Sequence, residues 1–148
     1  MRNAKKAIAA AAAIASLVGL AACGGSNSTT STDLSNAKGQ IVFWGWDSGN
    51  SMKQIIAKFE KANPGINVKF NNTGTAKDTS TALSNAIAAG KGAPDVVMLE
   101  DPTVTQFAVT NGLVNLSQFG AQKFKSDYAS GPWNKVQYNG KAYALPID

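Results

Sequence analysis

The fold is decided by the stretch IVFWGWDSGNSMKQIIAKFEKANPGINVKF, residues 41–70. It opens with four apolar residues rich in β-forming side chains, which predicts a strand buried on both faces of a parallel sheet. Apolar residues then recur at the spacing of one helix face, at Met52, Ile55, Ile56, Phe59 and Ala62. Alternating apolar and polar residues over positions 66–70 predict a second strand. This strand–helix–strand order is typical of a parallel sheet.

The pattern repeats further along the chain. Asp78 is placed to cap a second helix ending near Gly90, and residues 95–99, DVVML, predict a third strand. Asp101 followed by proline predicts the cap of a third helix, as Asn50 or Ser51 does for the first. We therefore predict an α/β fold, an open, mostly parallel sheet with helices on both faces.

Near the end of the chain, Asn139-Gly140 separates two segments rich in β-forming residues. Asn-Gly favours the two-residue turn of a β-hairpin, because both positions tolerate positive φ. We predict a hairpin here. Two nearby rings, Trp133 and Tyr143, fit either packing beneath this hairpin or a ligand cleft, and packing is the favoured interpretation.

The N-terminus predicts secretion. Arg2, Lys5 and Lys6 precede an uncharged apolar run over residues 7–20, which is too short to span a bilayer. Leu-Ala-Ala-Cys follows at positions 20–23 and resembles the lipobox of bacterial lipoproteins, in which the cysteine is lipidated on its sulfur. The bland alternative is an ordinary signal that leaves Cys23 as a spare thiol.

The predicted lipobox divides the chain into three segments. Residues 1–22 are a lipoprotein signal peptide, residues 23–39 are a lipidated cysteine with a flexible Gly/Ser/Thr tether, and residues 40–148 are the folded part. The protein is expected to be lipid-anchored on the extracellular face of the cytoplasmic membrane.

The amino-acid composition excludes several classes of partner and of catalytic chemistry. The formal charge is +5, but three of the fourteen cations lie in the predicted signal, leaving eleven lysines against nine acids. Those lysines are scattered, so nucleic acid is not expected as a partner. The chain has no histidine and one cysteine, and therefore lacks the usual base, nucleophile and transition-metal ligands. No cofactor and no metal are predicted.

Polar and aromatic residues cluster where the predicted strands end, which is where open α/β sheets bind ligands. Rings can cover the CH face of a sugar, and amides and carboxylates can pair with its hydroxyls. Asp47 and Asp101 can instead serve as helix caps, and a cap does not exclude a ligand contact. The predicted ligand-binding residues are Trp46, Asp47, Ser48, Asn72, Thr73, Glu100 and Asp101.

Asp47 and Glu100 follow neighbouring strands and could in principle form a glycosidase pair. Nothing in the sequence marks one of these carboxyls to be kept protonated, so we predict that the protein is not an enzyme.

Six features in sequence order resemble the family 1 extracellular solute-binding proteins, the sugar-receptor lipoproteins of ABC importers. They are the lipobox, the predicted strand at residues 40–44, MKQIIAKFEKANPGINV (52–68), GKGAPDVVML (90–99), NGLVNL (111–116) and YNGKAYALPID (138–148). The resemblance implies a two-lobed, type II periplasmic-binding-protein-like fold, with residues 40–148 forming part of the first lobe. It adds Asp148 to the predicted site, because the chain of these proteins leaves the first lobe there.

The implied function is capture of a sugar or oligosaccharide by a monomer and its delivery to membrane permease subunits. Because the sequence stops before a second lobe, we expect weak or no sugar binding from these residues alone. The alternatives are a receptor of the same fold for a polyamine or peptide, and a polysaccharide-docking lipoprotein without a transport role.

Replacement of Cys23 tests the predicted anchor. Cys23→Ser removes the sulfur to which lipid is attached, so we expect release of the protein into the medium or accumulation of uncleaved precursor. Fractionation of cells followed by immunoblotting measures this. Normal retention in the membrane fraction would contradict the lipoprotein assignment.

Overall fold

The apolar run that opens the deciding stretch forms the central strand of a parallel sheet. The computed structural model describes residues 37–47 and 49–147. Strand β1, Gly39–Gly45, lies between β2, Ile66–Asn72, and β3, Val96–Val97, and pairs with both in parallel. Gly39, assigned above to the predicted tether, therefore belongs to the folded part.

Three helices connect and follow these strands: α1, Ser51–Ala62, α2, Ala76–Ala89, and α3, Asp101–Val109. The first connection leads from the central strand outward to β2, and the second returns past β1 to β3. Since such crossovers are right-handed, α1 and α2 lie on opposite faces of the sheet. The predicted α/β fold class is confirmed.

The last third of the chain folds beside the sheet. Two 3₁₀ turns, Leu116–Phe119 and Ala121–Asp127, lead into a short helix α4, Ser130–Lys135. Strands β4, Gln137–Tyr138, and β5, Lys141–Ala142, then form the predicted hairpin. Asn139 and Gly140 have φ of 49° and 71°, the left-handed conformations that a type I′ turn requires.

The hairpin encloses its own hydrophobic cluster, centred on Trp133, which is 1% exposed. Its ring stacks on Tyr128 with 5.8 Å between the ring centroids. The other members of the cluster are Ala121, Val136 and Ala142, with Leu116 and Ala144 packed against them. The packing interpretation of Trp133 is therefore confirmed.

The extent of burial differs from the prediction at the first strand and helix. Side chains of β1 from Ile41 to Trp44 are only partly buried, and α1 has no buried residue. Ile55 and Phe59, assigned to the inward face of α1, remain 55% and 40% exposed. Helical spacing identifies an apolar face but not what covers it, and no other element of the described residues buries these two side chains.

The helix caps also differ from the prediction. Thr75 is the N-cap of α2, and Asp78 is its partner three residues later in a reciprocal capping box. Glu100, not Asp101, occupies the N-cap of α3. Asn50 precedes α1 in a left-handed conformation without a capping hydrogen bond from its side chain. Within the described residues, no helix has the length and apolar character to cross a bilayer.

A matched pair of substitutions on α2 tests the packing. Leu83 is 3% exposed whereas Ile87, one turn later, is 39% exposed. We expect Leu83→Ala to lower the free energy of unfolding by about 2–4 kcal/mol, because it leaves a buried cavity. Ile87→Ala should cost less than about 1.5 kcal/mol because part of that side chain is already in water. Urea unfolding of both variants measures this, and equal losses would contradict the assigned faces.

Candidate functional site

A cavity opens where the sheet topology changes direction. The chain leaves β1 toward β2, while β3 lies on the other side of β1, so the connections diverge at the carboxyl ends of β1 and β3. Such a switch point is the usual ligand crevice of an open α/β sheet. A cavity of about 920 Å³ runs along β3 from residues 93–95 before the strand to Glu100 and Asp101 after it, and Trp46 after β1 also lines it.

Close packing at the end of β1 places Trp46 at this cavity. Gly45 is buried, and a Cβ on it would lie 2.6 Å from Met98 Sδ. A side chain at position 45 would therefore have to displace the Met98 side chain, and glycine avoids that clash. Trp46 follows directly and is partly buried. Its indole therefore leaves the strand at the rim of the cavity.

The rest of the cavity is largely apolar. Its floor and far wall come from the sheet, from α2 and α3, and from the segment after the hairpin. The apolar residues there include Phe43, Leu83, Val97, Val104, Leu113, Tyr143 and Leu145. Such a surface offers few hydrogen-bonding partners to a polar ligand, so the polar residues of the cavity are those at its rim that could pair with one.

The rim carries a carboxylate and an ion pair. Glu100 is exposed, and its carboxylate has no hydrogen bond to another described residue. Asp101 Oδ2 lies 2.8 Å from Lys135 Nζ, and the two side chains are 47% and 61% exposed. Lys135 also lines the cavity. Sequence reasoning missed it, because a lysine ending a six-residue helix carries no signal that links it to Asp101.

Asp47 is bound within its own loop. Its Oδ1 accepts hydrogen bonds from Gly49 N, Ser51 N and Ser51 Oγ, at 3.1, 3.2 and 2.9 Å. Its Oδ2 accepts from Met52 N at 3.0 Å. The carboxylate thus satisfies the first two free amides of α1, those of Ser51 and Met52, and the capping alternative for Asp47 is confirmed.

These contacts alter the acidity of Asp47. Desolvation alone would raise the pKa of its carboxyl. The hydrogen bonds from Gly49, Met52 and Ser51 outweigh this, and the pKa lies below the ordinary value of 3.8. Asp47 therefore remains ionised at neutral pH.

Asn72 and Thr73 fix the loop after β2 to the loop after β1. Asn72 Nδ2 donates to the Asp47 carbonyl at 3.1 Å, and its Oδ1 accepts from Gly74 N at 3.0 Å. Thr73 Oγ1 donates to the Gly45 carbonyl at 2.9 Å and is hydrogen-bonded to the buried Thr79 hydroxyl.

The predicted site residues therefore lie in different places, and Thr73 lines neither of the two cavities described next. Trp46, Glu100 and Asp101 line the main cavity. Asp47 and Asn72 instead line a smaller depression of about 490 Å³ beside α1 and β2. Ser48, Asp148 and the predicted lipidation site Cys23 lie outside the described residues. Among the residues described, the structure contains no group of three or more potential metal ligands.

The bacterial extracellular solute-binding protein family matches residues 45–148. The chain belongs to this family, as its sequence resemblance implied. No curated protein matches the chain with significance.

Solved structures of binding proteins share the fold. The ABC transporter associated binding protein from B. animalis subsp. lactis Bl-04, in complex with beta-1,6-galactobiose, is 42% identical, with a TM-score of 0.65 over 75% of this chain and 26% of that one. The galacto-N-biose-/lacto-N-biose I-binding protein from Bifidobacterium longum, in complex with lacto-N-biose, is 30% identical, with a TM-score of 0.60 over 75% and 29%.

The GacH receptor of Streptomyces glaucescens GLA.O, solved unliganded and with acarbose, is also 30% identical, with a TM-score of 0.66 over 74% of this chain and 29% of that one. This chain therefore spans between a quarter and a third of the length of these structures.

The Asp47 contacts generate a prediction of pH dependence. Because the folded state lowers the pKa of Asp47, its ionised form stabilises the fold above about pH 4. That contribution is lost as pH falls through the still lower pKa of the folded state. Asp47→Asn should lower the melting temperature at pH 7, and its deficit relative to the parent should shrink at pH 2.5.

Thermal unfolding monitored by circular dichroism at both pH values measures this. Asp127→Asn is the matched control, since Asp127 is exposed and has no hydrogen bond from its side chain to another described residue. A deficit for Asp47→Asn that stays constant between the two pH values would contradict the capping role.

Proposed function

We propose that this chain forms part of the binding cleft of a carbohydrate receptor of an ABC importer. The observation that carries the proposal is the position of Trp46, Glu100 and Asp101 on one cavity at the switch point of the sheet. Two of the structures reported above were solved in complex with sugars, which supports the same ligand class.

The chemistry of the rim suits a neutral sugar. The indole of Trp46 can cover the CH face of a pyranose, while the carboxylates of Glu100 and Asp101 accept hydrogen bonds from its hydroxyls. Asp47, Asn72 and Thr73 contribute by fixing the loop that presents Trp46. Ser48 and Asp148 remain predicted ligand contacts.

A short galactose-containing oligosaccharide is the ligand that we propose to test first. The 42% identical protein is complexed with beta-1,6-galactobiose, and a 30% identical protein with lacto-N-biose. A polyamine is the second candidate ligand, because three acids, Asp95, Glu100 and Asp101, line the cavity against one lysine, Lys135.

The proposed biological role is capture outside the cell followed by delivery to permease subunits. The lipid on Cys23 would hold the receptor, as a monomer, on the extracellular face of the membrane. The protein is proposed to bind its ligand without chemical conversion. Carboxylates that accept hydrogen bonds are sufficient for that role.

Truncation of Trp46 tests the assigned site. In the full-length protein, Trp46→Ala should weaken sugar binding by about 1–3 kcal/mol, through loss of a large ring that stacks on the ligand. Isothermal titration with beta-1,6-galactobiose, lacto-N-biose and acarbose measures this.

Phe119→Ala is the control, because Phe119 is 70% exposed and does not line the cavity. Its dissociation constants should match those of the parent. Unchanged affinity of Trp46→Ala would remove Trp46 from the site, and no binding of any sugar by the parent would overturn the proposed function.

A further inference from the structure

We propose that Lys135 is a positioning residue of the binding site, which holds Asp101 so that one carboxylate oxygen faces the ligand. The inference rests on the proposed function. It adds a residue from the far end of the described chain to a site otherwise formed by the strand ends.

The geometry of the ion pair assigns a different task to each oxygen of Asp101. Lys135 Nζ lies 2.8 Å from Oδ2. The structure records no hydrogen bond to Oδ1 from another described residue. Lys135 therefore fixes the rotation of the carboxylate, and Oδ1 is left to accept a hydrogen bond from a ligand.

The two helices that carry the pair favour this arrangement. Asp101 is the first residue of α3, where the helix dipole stabilises a negative charge. Lys135 is the last residue of α4, where the dipole stabilises a positive charge. Each charge is thus placed at the helix end that favours it, and the pair joins the two ends.

The location of the pair connects it to binding. Both side chains line the cavity that Trp46 and Glu100 also line, and both are substantially exposed. A ligand that covers the rim would displace water from the pair. Since attraction between charges strengthens as the surroundings become less polar, the pair should hold Asp101 more firmly in the complex.

The competing explanation is that the pair only joins α3 to α4. In that case its loss would lower stability without a specific effect on affinity. Coupling between substitutions separates the two, because a positioning residue acts through Asp101 and not through its neighbour Glu100.

The experiment is a pair of double-mutant cycles in the full-length protein, with dissociation constants for beta-1,6-galactobiose and lacto-N-biose. We expect Lys135→Met to weaken binding by about threefold to fivefold, the scale of an exposed ion pair. Asp101→Asn should weaken it by about tenfold, since a hydrogen bond to a charged acceptor is lost.

The double variant of Lys135→Met and Asp101→Asn should bind no more weakly than Asp101→Asn alone. Combination of Lys135→Met with Glu100→Gln should instead multiply the two separate effects. Lys125→Met is the matched control, a lysine in the last turn of the neighbouring 3₁₀ segment that does not line the cavity, and its affinity should be unchanged.

Each other outcome overturns the proposal. Parental affinity of Lys135→Met, or full multiplication of its effect with that of Asp101→Asn, would leave the pair a purely structural contact. If Trp46→Ala weakens binding in the same assay, the proposed function survives that failure. If the parent binds none of the sugars, both proposals fall. Lys135→Gln repeats the test should the methionine variant be unstable.

Discussion

The carbonyl groups at the end of β1 hold both neighbouring loops, and the arrangement of the site depends on them. The Gly45 carbonyl accepts hydrogen bonds from Thr73 N at 2.8 Å and from Thr73 Oγ1 at 2.9 Å. The Trp44 carbonyl accepts from Met98 N at 2.9 Å. Two consecutive residues of the central strand thereby fix the chain after β2 on one side and the chain after β3 on the other. Trp46 is the next residue of the chain, so these hydrogen bonds fix the point from which its side chain extends.

These hydrogen bonds at Trp44 and Gly45 explain why some polar residues after the strands cap a helix while others line the cavity. The loop after β1 must turn sharply from the strand into α1, and the amides at the start of α1 need acceptors. Asp47 supplies them, and Asn72 then holds the Asp47 carbonyl. On the β3 side, Pro102 at the second helical position removes one free amide, and Glu100, at the N-cap position, makes no capping hydrogen bond with its side chain. Glu100 and Asp101 line the cavity instead.

The fold could be predicted because it follows from local sequence patterns. The site could be predicted only in part, because it depends on contacts between residues far apart in the sequence. The parallel strands, the three helices and the Asn-Gly turn follow from periodicity and turn chemistry within short windows. The caps were misplaced because Thr75 and Asp78 bond reciprocally, so both positions carry the same sequence signal. The exposure of the Ile55 and Phe59 side chains depends on which other elements pack over them, and the spacing of apolar residues contains no information about that. The contact between Asp101 and Lys135 depends on two helices meeting in space.

The two edges of the sheet differ in how their backbone groups are covered, and this difference bears on which part of the cavity can bind a polar ligand. At the β2 edge, Glu60 Oε1 accepts from Val68 N at 2.7 Å and from Asn67 Nδ2 at 3.2 Å, which satisfies an amide that could otherwise pair with another strand. The β3 edge has no such blocking group among the described residues, and Val96 and Val97 line the large apolar cavity there. A sugar placed deep against that floor would lose hydrogen bonds to water without replacing them. At the rim, Trp46 offers an apolar surface beside the acceptors of Glu100 and Asp101, which is the combination that an amphipathic pyranose requires. This is why we propose that the polar residues that surround the opening, rather than its volume, select the ligand.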